Sequence, residues 1–451
     1  MKEYDIALIG GGPGGYTAAI RASQLGLKAT VIEKAELGGT CLNWGCIPTK
    51  SLLHAADVLR AVQTADELGI KTGKVNFDLS KMVQASRQAA GRLNQGVGHL
   101  MKKYKIDVLQ GEAEIKERGL VSVNGVELFA DNIIVATGAR ARTLEGLVPD
   151  GNVVWHANDA MTPKKMPDRL LIIGAGAIGV EFASFYNTLG AKVTLVEVLE
   201  EILPNEDAEI AAAARASFER LGIKVLTGAQ ISQVSVGKKL KCQINAESFE
   251  FDNVISSVGV MGNIEGIGLE NLGVETERGF VSVNSQQQTN VAGVYAIGDV
   301  AGAPCLAHKA SHEGVIAVET IAGLAPHALQ VQRIPACTYS HPQVASIGLN
   351  EAACADRDVR IGRFPLLANG KAVAIGETDG MIKTIFDRNT GELLGAHMVG
   401  AGVSEMIQGY AVAMQMETTE VELMNTVFPH PTISESMQES VLDAWNRTLN
   451  Y

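Results

Sequence analysis

Basic residues are the minority charge in this chain of 451 residues. Against 50 aspartates and glutamates stand 38 lysines and arginines, a formal net charge of −12. That balance excludes nucleic acid or an anionic membrane surface as the main partner. Long apolar runs are missing as well: "LLIIGAGAIGV" (170–180) falls well short of the ~20 residues that span a bilayer. The opening "MKEYDIALIG" sets Asp5 ahead of its first apolar run. It has the layout of neither a signal peptide nor an arginine-rich transit peptide. The expected setting is the cytoplasm, or the mitochondrial matrix if a presequence has been removed. Cysteine is scarce: the six present do not make a secreted disulfide scaffold. Hydrophobic residues make up 46% of the chain, enough for a substantial core. At roughly 150 residues per domain, the length predicts about three domains.

What the chain does have is glycine, organised by a duplication. "GGGPGGYTAAIRASQLGLKATVIEK" (10–34) matches "GAGAIGVEFASFYNTLGAKVTLVEV" (174–198) without a gap, at a constant offset of 164. Each copy reads as a short apolar strand, a GxGxxG turn, an amphipathic helix and a second strand ending in glutamate. The turns are Gly10, Gly12, Gly15 and Gly174, Gly176, Gly179; the acids are Glu33 and Glu197. In such a unit the first glycine permits a tight turn and the second lets backbone approach a pyrophosphate. The third packs helix on strand, and the acid accepts ribose hydroxyls. Two copies predict two dinucleotides exchanging electrons. Glu197 is followed by Val198, Leu199, Glu200 and Glu201, with no base to meet a 2′-phosphate, so the second site reads as NAD rather than NADP.

Cys41 and Cys46 lie five positions apart in "GGTCLNWGCIPTK" (38–50). Zinc would want four ligands, and no second pair or histidine cluster accompanies them. Two unrelated buried thiols remain an alternative; a redox disulfide suits the pattern better. It carries a geometric demand. Five residues of straight helix rise about 7.5 Å, whereas bridged Cα atoms stand roughly 4.4–6.8 Å apart. A helix here must be distorted or begin between the cysteines, and a helix N-terminus favours a thiolate. The other cysteines, Cys242, Cys305, Cys337 and Cys354, read as small apolar fillers. Lys102, Lys103 and Lys105 read as a solvated helix end. "FPHPTISE" (428–435) offers His430 as a general base, although Thr432 and Glu435 also spell a capping box for the last helix.

These segments, with "GVYAIGD", "LAHKAS" and "ANGKAVAIGETDG" in order, resemble the class I pyridine nucleotide–disulfide oxidoreductases along essentially the whole chain. Within that family they resemble the members that oxidise dihydrolipoyl groups. The resemblance implies FAD at the first fingerprint and NAD at the second. Lys50 would lie beside the flavin, Asp299 by its ribityl-phosphate region and Ala307 at the flavin ring. Ala113, in "GEA", would lie at the adenine, and Glu181 near the nicotinamide. Gly138, closing "IIVATG", and Gly259, in "SVGVMGN", join the cofactor-contacting positions. Cys41 would exchange with substrate and Cys46 would face the flavin. His430, oriented by Glu435, would act as base from the partner subunit of a homodimer. His341 and His308 read as structural or cofactor-adjacent.

The implied fold class is α/β: two Rossmann-like dinucleotide-binding domains plus a C-terminal α+β dimerisation domain. The expected division is 1–143 for FAD, 144–261 for NAD, 262–329 returning to the FAD domain, and 330–451 for the interface. Implied partners are the lipoyl domains of acyltransferases or of glycine cleavage carrier proteins. Which assembly is served (pyruvate, 2-oxoglutarate, branched-chain or glycine cleavage) is left open. Rival activities are glutathione-type reduction, which Glu197 opposes, and mercuric or thioredoxin reduction, which would want a cysteine pair beyond Cys354. A flavin-binding scaffold without turnover is a further rival. Five positions depart from the commoner pattern: Val260, Met261, Phe428, His312 and Gln343.

Overall fold

A computed structural model describes residues 2–451. The chain forms two compact units, one of Met1–Leu52, Ser80–Arg142 and Gly259–Leu329, the other of Leu53–Leu79, Thr143–Val258 and Gln330–Tyr451.

The first unit starts with β1 (Lys2–Ile9), exposed at Lys2 and Glu3, half-buried at Asp5 and buried without interruption from Ile6 to Ile9. A continuous apolar run of this kind marks a strand covered on both faces. Next comes α1 (Pro13–Gln24), entered by a proline at its start, where the missing N–H costs nothing. It buries Gly14, Gly15, Ala18, Ala19 and Ala22, so the helix lies close against its neighbours. β2 (Ala29–Glu33), α2 (Gly39–Trp44), α3 (Cys46–Gln63), α4 (Leu79–Lys103) and β3 (Asp107–Gln110) follow. Then come β4 (Ala113–Glu117), β5 (Leu120–Val123) and β6 (Val126–Val135). Strands β3, β2, β1 and β6 run parallel in that order, and Val294–Ala296 adds in parallel beyond β6. The first half of β6 also pairs antiparallel with β5, which in turn pairs with β4, making an antiparallel flap.

The second unit repeats this plan. Lys224–Leu226, Lys192–Val196, Arg169–Ile173, Asn253–Ser256 and Val154–Trp155 make a parallel sheet in that order. An antiparallel trio over 231–251 takes the place of the flap. The duplication in sequence is thus a duplication in topology. After it comes a five-stranded antiparallel sheet, ordered Ala336–Thr338, Gln343–Gly348, Leu393–Gly400, Met381–Asp387, Val359–Pro365. Two helices, Val403–Gln415 and Glu435–Asp443, pack with it, joined through the buried Tyr410, whose hydroxyl donates to the Met437 carbonyl at 2.9 Å. The architecture is the expected fold class. No described helix is long and apolar enough to cross a membrane.

A buried charge cluster ties this sheet to the helix Ala208–Arg220. Lys383, on the strand Met381–Asp387, places its Nζ 2.8 Å from Asp207, 3.1 Å from Glu209 and 2.5 Å from Glu351. Asp207 caps the helix by accepting from the Glu209 N–H and also accepts from the Glu351 N–H.

Candidate active site

The two fingerprints are superposable in their chemistry as well as their sequence. Gly10 donates its N–H to Ile32, and Gly174 to Val196, closing the tight turn between strands. A Cβ on Gly15 would stand 1.9 Å from the Gly10 carbonyl, and one on Gly179 equally close to that of Gly174. The third glycine is therefore required by the protein's own packing. The middle glycine is not: a Cβ on Gly12 would meet nothing nearer than 3.9 Å, and on Gly176 nothing within 4 Å. Both helices open with no side-chain cap and no acid in the first turn, leaving their N-terminal amides for an anion. Glu33 accepts from the N–H groups of Gly11 and Ala35, both at 2.7 Å. Glu197 does the same with Ala175 at 2.8 Å and Leu199 at 3.0 Å. Each carboxylate is thus fixed across the turn, with lone pairs left over for a ribose. Room at the middle glycine, uncapped amides and an oriented acid fit a dinucleotide in each half. A cleft of about 530 Å³ opens at the turn that follows Glu33 in sequence, lined by Ala35, Glu36, Gln110, His99 and Lys102 among others.

Cys41 and Cys46 are joined in a disulfide with Cα atoms 4.8 Å apart. The chain meets the geometric demand by breaking at Gly45: Cys41 lies in α2, and Cys46 is the first residue of the 18-residue α3. Cys46 therefore sits where helix amides and dipole favour a thiolate. Lys50 follows one turn along α3. Asp299 lies in a 3-10 turn (Gly298–Ala301), half-buried; burial pushes its carboxyl above the usual range although Lys309 pulls the other way. Ala307 begins the helix Ala307–Ile321, which also has no side-chain cap. Ala113 is buried at the start of β4. Gly138 and Gly259, both at positive φ, flank a two-stranded crossover in which Val260 and Met261 pair with Ala141 and Arg140. The departure at 260–261 is thus part of a hydrogen-bonded strand.

In the second unit, Glu181 is buried and accepts from the Tyr339 N–H at 3.0 Å. His341 donates its N–H to Ser184, and burial pushes its ring down to about 4, so it is neutral at pH 7. His430 is exposed, its Nδ1 2.9 Å from Glu435. Burial acts to raise the Glu435 carboxyl, but the Thr432 N–H and the His430 ring hold it below the usual range. The expected capping box is only half present. Glu435 accepts from the Thr432 N–H, but Thr432 Oγ1 donates to Pro429, because the helix starts at Glu435 itself. Phe428 is half-buried against the C-terminal core, and Gln343 accepts from Ser404; His312 is exposed with its ring against the His308 carbonyl. Lys102, Lys103 and Lys105 are exposed, as expected. Cys242 and Cys354 are buried fillers and Cys337 is half-buried, but Cys305 is exposed, lying in the turn before Ala307 rather than on a core-facing element.

Sequence reasoning missed Lys309 and Glu313. They form a buried ion pair at 2.9 Å. Glu313 accepts from the Gly298 N–H at 2.7 Å and Lys309 donates to the Gly302 carbonyl at 3.0 Å, so the pair clamps both ends of the Asp299 turn. Their i, i+4 spacing, from the lysine inside "LAHKAS" to a glutamate just beyond it, was the available signal.

A family model for pyridine nucleotide-disulphide oxidoreductases matches residues 4–314, and one for the dimerisation domain of the same family matches residues 334–441. The chain belongs to this family. Among its members it is similar to proteins named dihydrolipoyl dehydrogenase. That of Rhizobium etli is 51% identical, over 100% of this chain and 99% of the relative. That of Zymomonas mobilis is 50% identical with the same coverage. Among solved structures it is similar to LpdA from Mycobacterium tuberculosis, with a TM-score of 0.91 and 26% identity over 98% of this chain and 99% of that one. The HOCl-induced flavoprotein disulfide reductase RclA from Escherichia coli gives 0.87 and 26%, over 97% and 99%.

Proposed function

We propose that the protein oxidises protein-bound dihydrolipoyl groups to the cyclic lipoyl disulfide with NAD⁺ as acceptor. FAD and NAD are its cofactors. The observation that carries this reading is the Cys41–Cys46 disulfide at the head of α3, in a chain half identical to relatives named dihydrolipoyl dehydrogenase.

His430 takes a proton from the substrate dithiol, and Glu435 on its Nδ1 leaves the other ring nitrogen for that role. The substrate thiolate attacks Cys41, forming a mixed disulfide as the Cys41–Cys46 bond breaks and Cys46 departs as thiolate. The second substrate thiol attacks its own mixed-disulfide sulfur, closing the lipoyl ring and releasing Cys41. Two electrons now reside on the protein dithiol. FAD, when bound, supplies their transfer to NAD⁺. Gly10, Gly12, Gly15, Glu33, Lys50, Ala113, Gly138, Asp299 and Ala307 hold the FAD. Gly174, Gly176, Gly179, Glu181, Glu197 and Gly259 serve the NAD.

The dimerisation-domain match supports a homodimer. Leu367, Val412, Met416 and Val427 are apolar side chains left exposed in that segment, in keeping with a covered face. The partner's histidine would complete the site. Residues 1–143, 144–261, 262–329 and 330–451 are the functional divisions in this reading. Lipoyl domains of acyltransferases or of glycine cleavage carriers are the natural substrates, in the cytoplasm.

The test is NADH formation by the purified protein from dihydrolipoamide and NAD⁺, beside glutathione disulfide with NADPH. NAD-specific turnover is expected; turnover only with glutathione disulfide would overturn the substrate. The glycine geometry adds a second expectation. Gly176→Ala adds a methyl that meets no protein atom, so folding is retained while the KM for NAD⁺ rises roughly 10- to 100-fold, the size of one or two lost hydrogen bonds to a charged group. An unchanged KM would remove the pyrophosphate from that turn.

A further inference from the structure

The redox loop is gripped from the side by α4. Arg87, half-buried on that helix, stacks its guanidinium 3.9 Å from the centre of the Trp44 ring and donates Nη1–H to the Asn43 carbonyl. Asn43 and Trp44 are the last residues of α2, immediately before the break at Gly45 that lets the two cysteines meet. Two turns further along α4, Asn94 donates to the Leu37 carbonyl at 2.6 Å and to Asn43 Oδ1 at 3.4 Å. Asn43 is itself buried, and its Nδ2 donates to the Leu37 and Gly39 carbonyls, both at 2.9 Å. Trp44 Nε1 donates to Glu36 at 3.1 Å. Backbone between the two cysteines is thus bonded to a cation carried by a different helix.

A short helix presents unpaired carbonyls, and the negative end of its dipole, at its C-terminus. Here that end abuts Cys46, and the guanidinium offsets it. Three charged side chains surround the loop: Lys50 along α3, Glu36 beyond Trp44, and Arg87. Glu36 reaches the segment between the sulfurs through the Trp44 indole N–H, whereas Arg87 holds it both by the Trp44 ring and by the Asn43 carbonyl. Reducing the disulfide to a thiol and a thiolate adds a negative charge to the loop whose backbone this cation holds, and a fixed positive charge on that loop favours the change.

We propose that Arg87, seated on Trp44, is a positioning residue that sets the reduction equilibrium of the Cys41–Cys46 couple, holding the loop at its break and favouring the dithiol. The inference rests on the disulfide being the redox centre. The exchange is balanced: one dihydrolipoyl dithiol is oxidised to its disulfide as the protein disulfide is reduced, two electrons each way.

The test uses the holoenzyme, equilibrated without oxygen in mixtures of dihydrolipoamide and lipoamide, quenched with an alkylating reagent and read by mass as the fraction of Cys41–Cys46 reduced. Arg87→Gln shifts the equilibrium toward the disulfide about three- to tenfold, ~14 to ~30 mV on the two-electron scale, with flavin content retained. Arg87→Lys, which keeps the charge without the planar stack, recovers part of the shift. Trp44→Leu reproduces part of it, and the double variant shifts by less than the sum because the two side chains act as one unit. If Arg87→Gln loses flavin, Arg87→Lys and Trp44→Leu decide the matter by the same shift. Variants within twofold of the wild type, or a strictly additive double variant, would overturn the proposal. A wild-type disulfide that stays oxidised in every mixture would instead overturn the functional reading, and this inference with it.

Discussion

Cys46→Ser loses dihydrolipoamide-dependent NADH formation by at least about a thousandfold, because the residue is both leaving group and electron carrier and nothing else in the loop can replace it. Cys41→Ser loses the same activity for a different reason: the substrate thiolate has no sulfur to attack. Both variants keep the fold. Oxidation of NADH with an artificial dye as acceptor bypasses the cysteines, and it is expected to survive in both. The pair of assays separates the disulfide from the cofactor sites. Residual lipoamide turnover above a tenth of wild type in Cys46→Ser would mean that electrons leave the substrate by another route. The four remaining cysteines lie in other segments, two of them buried.

Much of this site is legible in the sequence because it is local. GxGxxG and the acid 18 residues on are each fixed by short-range backbone geometry, and the structure realises them at Gly15, Gly179, Glu33 and Glu197. Given a disulfide, rise per residue demanded a distorted helix or one beginning between the cysteines, and the structure takes the second course, with α3 starting at Cys46. The supporting contacts were not legible, because they join residues far apart in the chain. Arg87 reaches Asn43 and Trp44 from a separate helix, and the Tyr339 N–H reaches Glu181 across 158 residues. Periodicity says that such side chains lie on a helix face but not what that face meets. Cys305 shows the opposite error. A composition-based expectation of burial fails at a turn, where neighbouring glycines and prolines leave the side chain outward.

The largest effect on stability is expected at Lys383, a residue with no part in the chemistry. Its side chain is 1% exposed, as is that of Asp207, whereas Glu209 and Glu351 keep 37% and 49% of theirs in solvent. Burial by itself favours a neutral amine, but the three carboxylates reverse that and raise the Lys383 value. Burial likewise acts to raise Asp207, and Lys383 with the Glu351 N–H holds it below the usual range instead. Lys383→Met leaves Asp207 charged, buried and unpaired, which costs about 3–5 kcal/mol. Adding Asp207→Leu recovers part of that loss, since the two exposed glutamates can turn to water once the buried charge is gone. The pH dependence follows from the two directions. Asp207, depressed on folding, contributes fully above its ordinary value of ~3.9 and loses that contribution as pH falls through the lower folded value. Lys383, raised on folding, contributes fully below ~10.4 and loses it as pH rises through the higher folded value. The gap in unfolding midpoint between wild type and Lys383→Met should therefore stay level from about pH 5 to about pH 10 and narrow only outside that window. Thermal unfolding followed by circular dichroism across that range measures it. A gap that closed near pH 7, or a Lys383→Met protein as stable as wild type, would show that the cluster is not what joins the Ala208–Arg220 helix to the C-terminal sheet.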